Sequence, residues 1–290
     1  MIKFIKEVFN HFFSGNTFQK GAALAYYAVF SMLPMIMIII SILGLLFGKQ
    51  AVSGEIYGQL SDILGAEASS QIEDIIKNQH VQHNGVVTSI IGFVTLGLSA
   101  SGMFSQIHNA FNSLWNIKAK PKSSIINYLS KHAVSFLILI VMFFLVLTST
   151  AINSFLVKHG NNLHTDYQFT YLYEHLASFV VLALVFAIMF KFLGDAQIHW
   201  KAAVLGGAFT ATLFIFGKIG IGMYIGHSHV SSTFGSASVL ALLMLWVYYT
   251  SQLIFLGASF VKIISTRLGY EILPNANAVR VEHVEVDAKL

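Results

Sequence analysis

The chain has 290 residues, is 56% hydrophobic and only 10% charged, and has a mean hydropathy of +0.70, far from the quarter of charged residues usual in water-soluble domains. It contains no cysteine, which excludes disulfides, thiolate chemistry and cysteine-based zinc sites. The net charge of +4 sits in loops, where it reports membrane topology rather than a nucleic-acid footprint, so no nucleic-acid partner is expected.

Residues 1–20 set Phe4, Ile5, Val8, Phe9, Phe12 and Phe13 against Lys3, Lys6, Glu7, Asn10 and His11. This spacing predicts an amphipathic helix that either lies in the membrane interface or leads into the first span with its Phe-rich face on a neighbour. The first long apolar run begins near Ala22 and is too long for the h-region of a cleaved signal peptide, so a retained first helix is expected.

Six segments approach the ~20 residues a span requires: Ala22 to Phe47, Val86 to Phe104, Ala133 to Ile152, Leu176 to Phe192, Ala202 to Ile225 and Val239 to Ile264. The second is the most polar, with Thr88, Ser89, Thr95, Ser99 and Ser101, and its Gly92, Gly97 and Gly102 suit close helix packing. The expected fold is therefore an all-α polytopic membrane protein. It comprises an interfacial helix at 1–20, a six-helix membrane domain at 21–265 and a tail at 266–290.

Between the first two spans, residues 48–85 show two amphipathic patterns, Ile56, Leu60, Ile63 and Leu64, then Ile72, Ile75 and Ile76, which predict a cap over one mouth of the bundle. The segment from Leu273 to Leu290 has balanced charge and few large apolar groups, and disorder is the simplest expectation for it. With a cytoplasmic N-terminus, the inner side holds Lys3, Lys6, Lys20, Lys118, Lys120, Lys122, Lys131, Lys191, Lys201, Lys262 and Arg267, and the outer side only Lys49, Lys77 and Lys158. Eleven against three predicts that both termini are cytoplasmic.

Pro34 interrupts the first span by denying a hydrogen bond to the carbonyl of Phe30; a static bend and a working kink both fit, and Ser31 is placed to satisfy the freed backbone. Lys218 is the lone cation deep inside a span, ~24 Å from the inner end and ~10 Å from the outer end at 1.5 Å per residue. Helix side chains lean toward the N-terminus, here inward, so outward snorkelling works against the geometry. A polar cavity or a bound anion around the ammonium is one reading; a structural or snorkelled lysine is the other. Gly217, Gly220, Gly222 and Gly226 around it permit either tight contact or local unwinding, and the first three are the candidate hinge.

No Asp or Glu falls within the six segments, so a carboxylate-based ion relay lacks its parts. His80, His83, His227 and His229 share one side, but their spacing lacks a carboxylate or cysteine at a metal-binding interval, and no metal or other cofactor is expected. Trp115 beside Lys118, Lys120 and Lys122 reads as an interface anchor with lysines that attract anionic lipid.

Three patterns carry a family resemblance. They are Ala23-Leu24-Ala25-Tyr26-Tyr27-Ala28-Val29-Phe30-Ser31 with Pro34; Ala110-Phe111-Asn112-Ser113-Leu114-Trp115; and Gly235-Ser236, Leu245-Trp246-Val247-Tyr248 and Gly257-Ala258. In order and spacing, over roughly residues 15–265, the chain resembles the YihY/virulence factor BrkB family of bacterial inner-membrane proteins. The resemblance implies six transmembrane helices with both ends in the cytoplasm. Some members carry a ribonuclease label, and others are suspected of exporting lipids or amphipathic anions. Phe234 and Ser259 depart from the family's usual Tyr and Glu.

A nuclease would want clustered metal-binding carboxylates or a histidine-based acid and base. The cytoplasmic acids Glu7, Asp195, Glu271, Glu282, Glu285 and Asp287 form no such cluster by sequence, so an enzyme is not expected. The leading expectation is translocation or handing-on of an amphipathic, anionic, lipid-like substrate through a polar cavity near Lys218, lined by Tyr26, Tyr27, Ser31, Tyr224, Trp246 and Tyr248. The alternative is a non-transporting scaffold for an envelope complex. Membrane lipids, and an envelope protein in the second reading, are the expected partners; oligomeric state is left open by the sequence.

Overall fold

A computed structural model describes residues 2–31, 54, 57, 58, 70, 73, 102–120, 167–227 and 238–282, with side chains left out at 167–175, 222, 224–227, 238 and 239. The described chain is mostly helical. Helix α1 is Ile2–Ser14, α2 covers 17–31, α3 covers 102–114, α4 is Tyr167–Phe192, α5 is Trp200–His227 and α6 is Ser238–Arg267. Four short strands lie between and after them: β1 (Ile117–Ala119), β2 (Ala196–Gln197), β3 (Leu273–Pro274) and β4 (Ala278–Arg280).

Two stretches, Trp200–Ile221 and Leu240–Arg267, are long and apolar enough to cross a membrane, and Leu176–Phe192 is a shorter apolar helix. These coincide with the last three expected spans. Of the first three, only residues 22–31 and 102–104 are described, and both are helical; Pro34, the 133–152 segment and nearly all of the 48–85 cap lie outside the described residues.

Each helix end has a local cause. Helix α1 stops at Gly15-Asn16, where Asn16 takes a φ of 51° and the Thr17 hydroxyl donates to the Phe12 carbonyl at 3.1 Å. Helix α3 stops at Asn116, with a φ of 57°. Helix α6 closes in a Schellman arrangement: Gly269 at φ 75° donates to the Thr266 carbonyl at 3.2 Å, and the Tyr270 N–H to that of Ser265 at 2.9 Å.

The chain divides into two compact units, one of residues 1–17, 107–213 and 253–290, the other of 18–106 and 214–252. The first has a core of Phe111, Leu114, Trp115, Phe190, Leu193, Ile198, Phe255 and Val261, all buried. In it the expected disorder after Leu273 gives way to structure as far as Glu282. Strand β3 pairs antiparallel with β2, and β4 with β1. The Asn275 N–H donates to the Asp195 carbonyl at 2.8 Å, and the Lys120 N–H to that of Asn277 at 3.0 Å. Low hydrophobicity misled the sequence reading here, because this segment is held by backbone pairing to loops distant in the chain rather than by its own apolar content.

The second unit contains α2, the end of α5 and the start of α6. Helix α5 runs without a break through Gly217, Gly220 and Gly222, so these glycines do not unwind it. A methyl group at Gly217 would collide with the Tyr249 hydroxyl, which makes this glycine a close-contact position. Gly220 faces open space.

Candidate functional site

Lys218 sits on the exposed surface of α5, with exposed Ile215, Phe216, Ile219 and Met223 along the same stretch. It has no hydrogen-bond or ion-pair partner among the described residues. One turn before Lys218, Phe214 meets Trp246 edge to face at 6.1 Å, and Tyr249 fits against Gly217. The ammonium thus stands on an exposed side of α5, one turn from exposed Ile215. It can attract an anionic group while the neighbouring side chains take up hydrocarbon.

The other expected lining residues belong to the same unit. Tyr26 and Tyr27 are exposed on α2, edge to face at 5.7 Å, and Tyr26 continues onto exposed Phe30 at 4.8 Å. Ser31 is buried, and its hydroxyl donates to the Ala28 carbonyl at 3.0 Å, one turn back. Trp246 and Tyr248 are half-buried on α6, the Tyr248 carbonyl accepting from the Ser251 hydroxyl at 2.6 Å. Tyr224 and Gly222 are placed in α5 by their backbone alone. No hydrogen bond, ion pair or ring contact joins Lys218 to Tyr26, Tyr27, Ser31, Trp246 or Tyr248 among the described residues.

The first unit holds a polar junction that the sequence reading missed. Asn112 on α3 accepts from the Asp195 backbone N–H at 2.8 Å and donates to Asp195 Oδ2 at 3.0 Å; the same amide nitrogen lies 3.3 Å from His108 Nδ1. His108 Nε2 lies 3.4 Å from Asp195 Oδ2. The imidazole thus sits with Nδ1 toward the Asn112 amide and Nε2 toward the carboxylate. Asp195 is only 4% exposed, and a carboxylate so placed is tolerable because donors surround it. The residues are 83 positions apart, so no local spacing could have paired them. The usable signal was Asn112 within Ala110-Phe111-Asn112-Ser113-Leu114-Trp115 and Asp195 in a short turn between apolar helices.

Trp115 belongs to this junction. The sequence reading made it an interface anchor; its side chain is instead buried to 1% exposure, against Phe111 at 5.0 Å, and its indole N–H donates to the Ala258 carbonyl at 3.2 Å. A ring enclosed by protein does not reach lipid headgroups. Trp200, at the start of α5 and 50% exposed, has the surroundings expected of such an anchor, with Phe192 at 5.7 Å edge to face and the Lys191 ammonium 5.6 Å from its ring centroid. Lys118 is exposed on β1, and Lys120 donates to the Ala276 carbonyl at 3.0 Å, so part of the expected lysine cluster holds the C-terminal segment. Lys122 lies outside the described residues.

Two basic side chains meet the last carbonyls of α3. Lys262 Nζ lies 3.5 Å from the Trp115 carbonyl, and His11 is half-buried near the Leu114 backbone. Burial, reinforced by the Lys262 charge, holds the His11 imidazole below its ordinary pKa of 6.5, with the Leu114 backbone working the other way.

Two stretches long and apolar enough to cross a membrane, together with a shorter apolar helix, fit a helical membrane protein. The chain matches the virulence factor BrkB family over residues 8–282 and belongs to it. Among its relatives are UPF0761 membrane proteins of Saccharophagus degradans, 25% identical over 270 residues, and of Psychrobacter sp., 24% identical over 276 residues. These alignments cover 92% and 93% of this chain but 60% and 50% of the relatives. A UPF0761 membrane protein of Pseudomonas aeruginosa is 24% identical over 269 residues, 92% of this chain and 64% of the relative. The chain therefore spans about half to two-thirds of the length of these curated relatives. No solved structure matches it.

Proposed function

We propose that this membrane protein binds an anionic, lipid-like amphiphile at the Lys218 face of α5 and hands it on within or across the bilayer. One observation carries the reading: an exposed lysine, without a partner among the described residues, on a membrane-length helix and one turn from exposed Ile215. An ammonium in apolar surroundings is costly unless an anion or water meets it, and an anionic amphiphile supplies both the counter-charge and the hydrocarbon. Exposed Tyr26, Tyr27 and Phe30 present a second amphipathic surface of the kind that contacts lipid.

The test is the protein reconstituted with spin-labelled phosphatidylglycerol or phosphatidylcholine. The anionic lipid is expected to be enriched at the protein surface about fivefold over the neutral one, as one cation near a headgroup provides on the order of 1 kcal/mol. Lys218→Met should abolish the preference, and Lys218→Arg should keep it. An equal preference in Lys218→Met would remove the lysine from lipid binding. Preference without any acceleration of labelled-lipid exchange between leaflets would sink the handing-on step and favour the scaffold.

A further inference from the structure

We infer that α1 is a membrane-surface helix, clamped to the end of α6 along one face and laying Ile2, Ile5, Phe9 and Phe13 along the other into the headgroup layer of an anionic bilayer. This reading is independent of Lys218. The clamp consists of Phe4 against Phe260, edge to face at 5.4 Å, and of Arg267, whose guanidinium donates to Glu7 at 2.9 Å and lies 4.6 Å from the Phe4 ring centroid. Val8 and Phe12 are buried on the same side, and His11 is half-buried there. Positions 4, 7, 8, 11 and 12 are thus taken up by protein, as helical spacing allows.

The stripe at 2, 5, 9 and 13 is not. These side chains are between 44% and 85% exposed, although each is large and apolar. Their spacing of three and four residues aligns them along one face, beside the buried one.

Depth and charge identify what covers the stripe. Arg267 ends the membrane-length stretch Leu240–Arg267, and Phe260 lies about two turns before it. Twenty-eight residues of helix extend ~42 Å, more than the ~30 Å hydrocarbon core, so the terminal turns reach the headgroups. A helix pinned to Phe260 and Arg267 is held at that level. Lys3 and Lys6 are exposed beside the stripe, while Glu7 is paired with Arg267, so α1 offers uncompensated cations to its surroundings. That arrangement suits anionic headgroups. A second copy of the chain docking stripe to stripe would instead bring like charges together.

The absence of cysteine in the full chain permits a direct measurement. Ile5→Cys, Phe9→Cys, Asn10→Cys and Phe13→Cys, each carrying a spin label, are reconstituted in vesicles of phosphatidylcholine with one phosphatidylglycerol in four lipids. Labels at 5, 9 and 13 are expected to show an oxygen-to-nickel accessibility ratio about threefold above that at 10, the signature of immersion in the interface. In pure phosphatidylcholine, or in a Lys3→Gln, Lys6→Gln background, the contrast should fall by about half. Equal nickel access at all four positions overturns the placement, and an unchanged contrast in neutral vesicles overturns the anionic preference. Spin–spin broadening at position 9 that disappears on dilution with unlabelled protein assigns the stripe to a second copy instead. Lys218→Met should leave every one of these readings unchanged, which separates this failure from failure of the Lys218 site.

Discussion

The Asn112–Asp195 junction and the Lys218 face both place polar groups among apolar helices, and the chain treats them in opposite ways. At the junction, Asn112 uses both its carbonyl and its amide, Asp195 is bonded through side chain and backbone, and the Trp115 N–H has the Ala258 carbonyl. At Lys218 the charge is exposed and unpartnered among the described residues. A buried polar group that is satisfied from several sides is expensive to disturb, whereas an exposed cation is nearly free to change and open to a ligand. The first region should therefore report on stability and the second on binding.

The largest expected effect is at Trp115. Replacing it with Ala should destabilise the protein by about 3–5 kcal/mol, measured by unfolding in detergent, since it leaves a cavity beside Phe111 and removes the indole bond to the Ala258 carbonyl. Asn112→Ala should cost about 2–3 kcal/mol, because the Asp195 carboxylate and backbone N–H lose partners inside the protein. A loss below about 0.5 kcal/mol at either position would break the contrast between the two regions. Next is Gly207→Ala, where the new methyl group would meet the Ala183 carbonyl and lie 2.8 Å from the Ala187 nitrogen, both backbone atoms of α4. Parting α4 from α5 should cost about 1–3 kcal/mol, while Gly220→Ala, which meets open space, should be neutral or stabilising by up to about 1 kcal/mol. Lys218→Met should leave the unfolding midpoint where it was while removing selectivity for anionic lipid.

The smallest effect is one of pH. Because the folded state holds the His11 pKa below 6.5, the unfolded chain takes up this proton first as pH falls. Stability is therefore complete above pH 6.5 and declines as the pH falls toward and through the lowered folded value. The slope of the melting temperature between about pH 7.5 and 5.5 should flatten in His11→Gln. A slope equal to that of the unaltered protein would assign the pH response to other histidines.

Much of the fold was legible because hydropathy and helical period are properties of short windows. Residues Leu176 to Phe192, Ala202 to Ile225 and Val239 to Ile264 announced themselves by length and composition, and α1 by its alternation of Phe with Lys and Glu. The same reading left α1 open between lipid and protein. The structure shows that its apolar arc is wide enough to divide: Val8 and Phe12 pack inward, and Ile5 and Phe9 remain outside. At the candidate site, the position of Lys218 was legible, but the role of Gly217 was not, because its constraint is a Tyr249 ring from another helix.

The sequence by itself determined that this is a helical membrane protein and where its last long helices run, since both follow from the cost of placing charge and bare backbone in lipid. Only the tertiary structure decided which tryptophan is enclosed and which is exposed, that Asp195 is held by Asn112 from 83 residues away, and that Lys120 reaches Ala276 across 156 residues to hold a segment read as disordered. Those outcomes depend on which elements meet, and a polar group in a protein interior is stable only where its partner arrives.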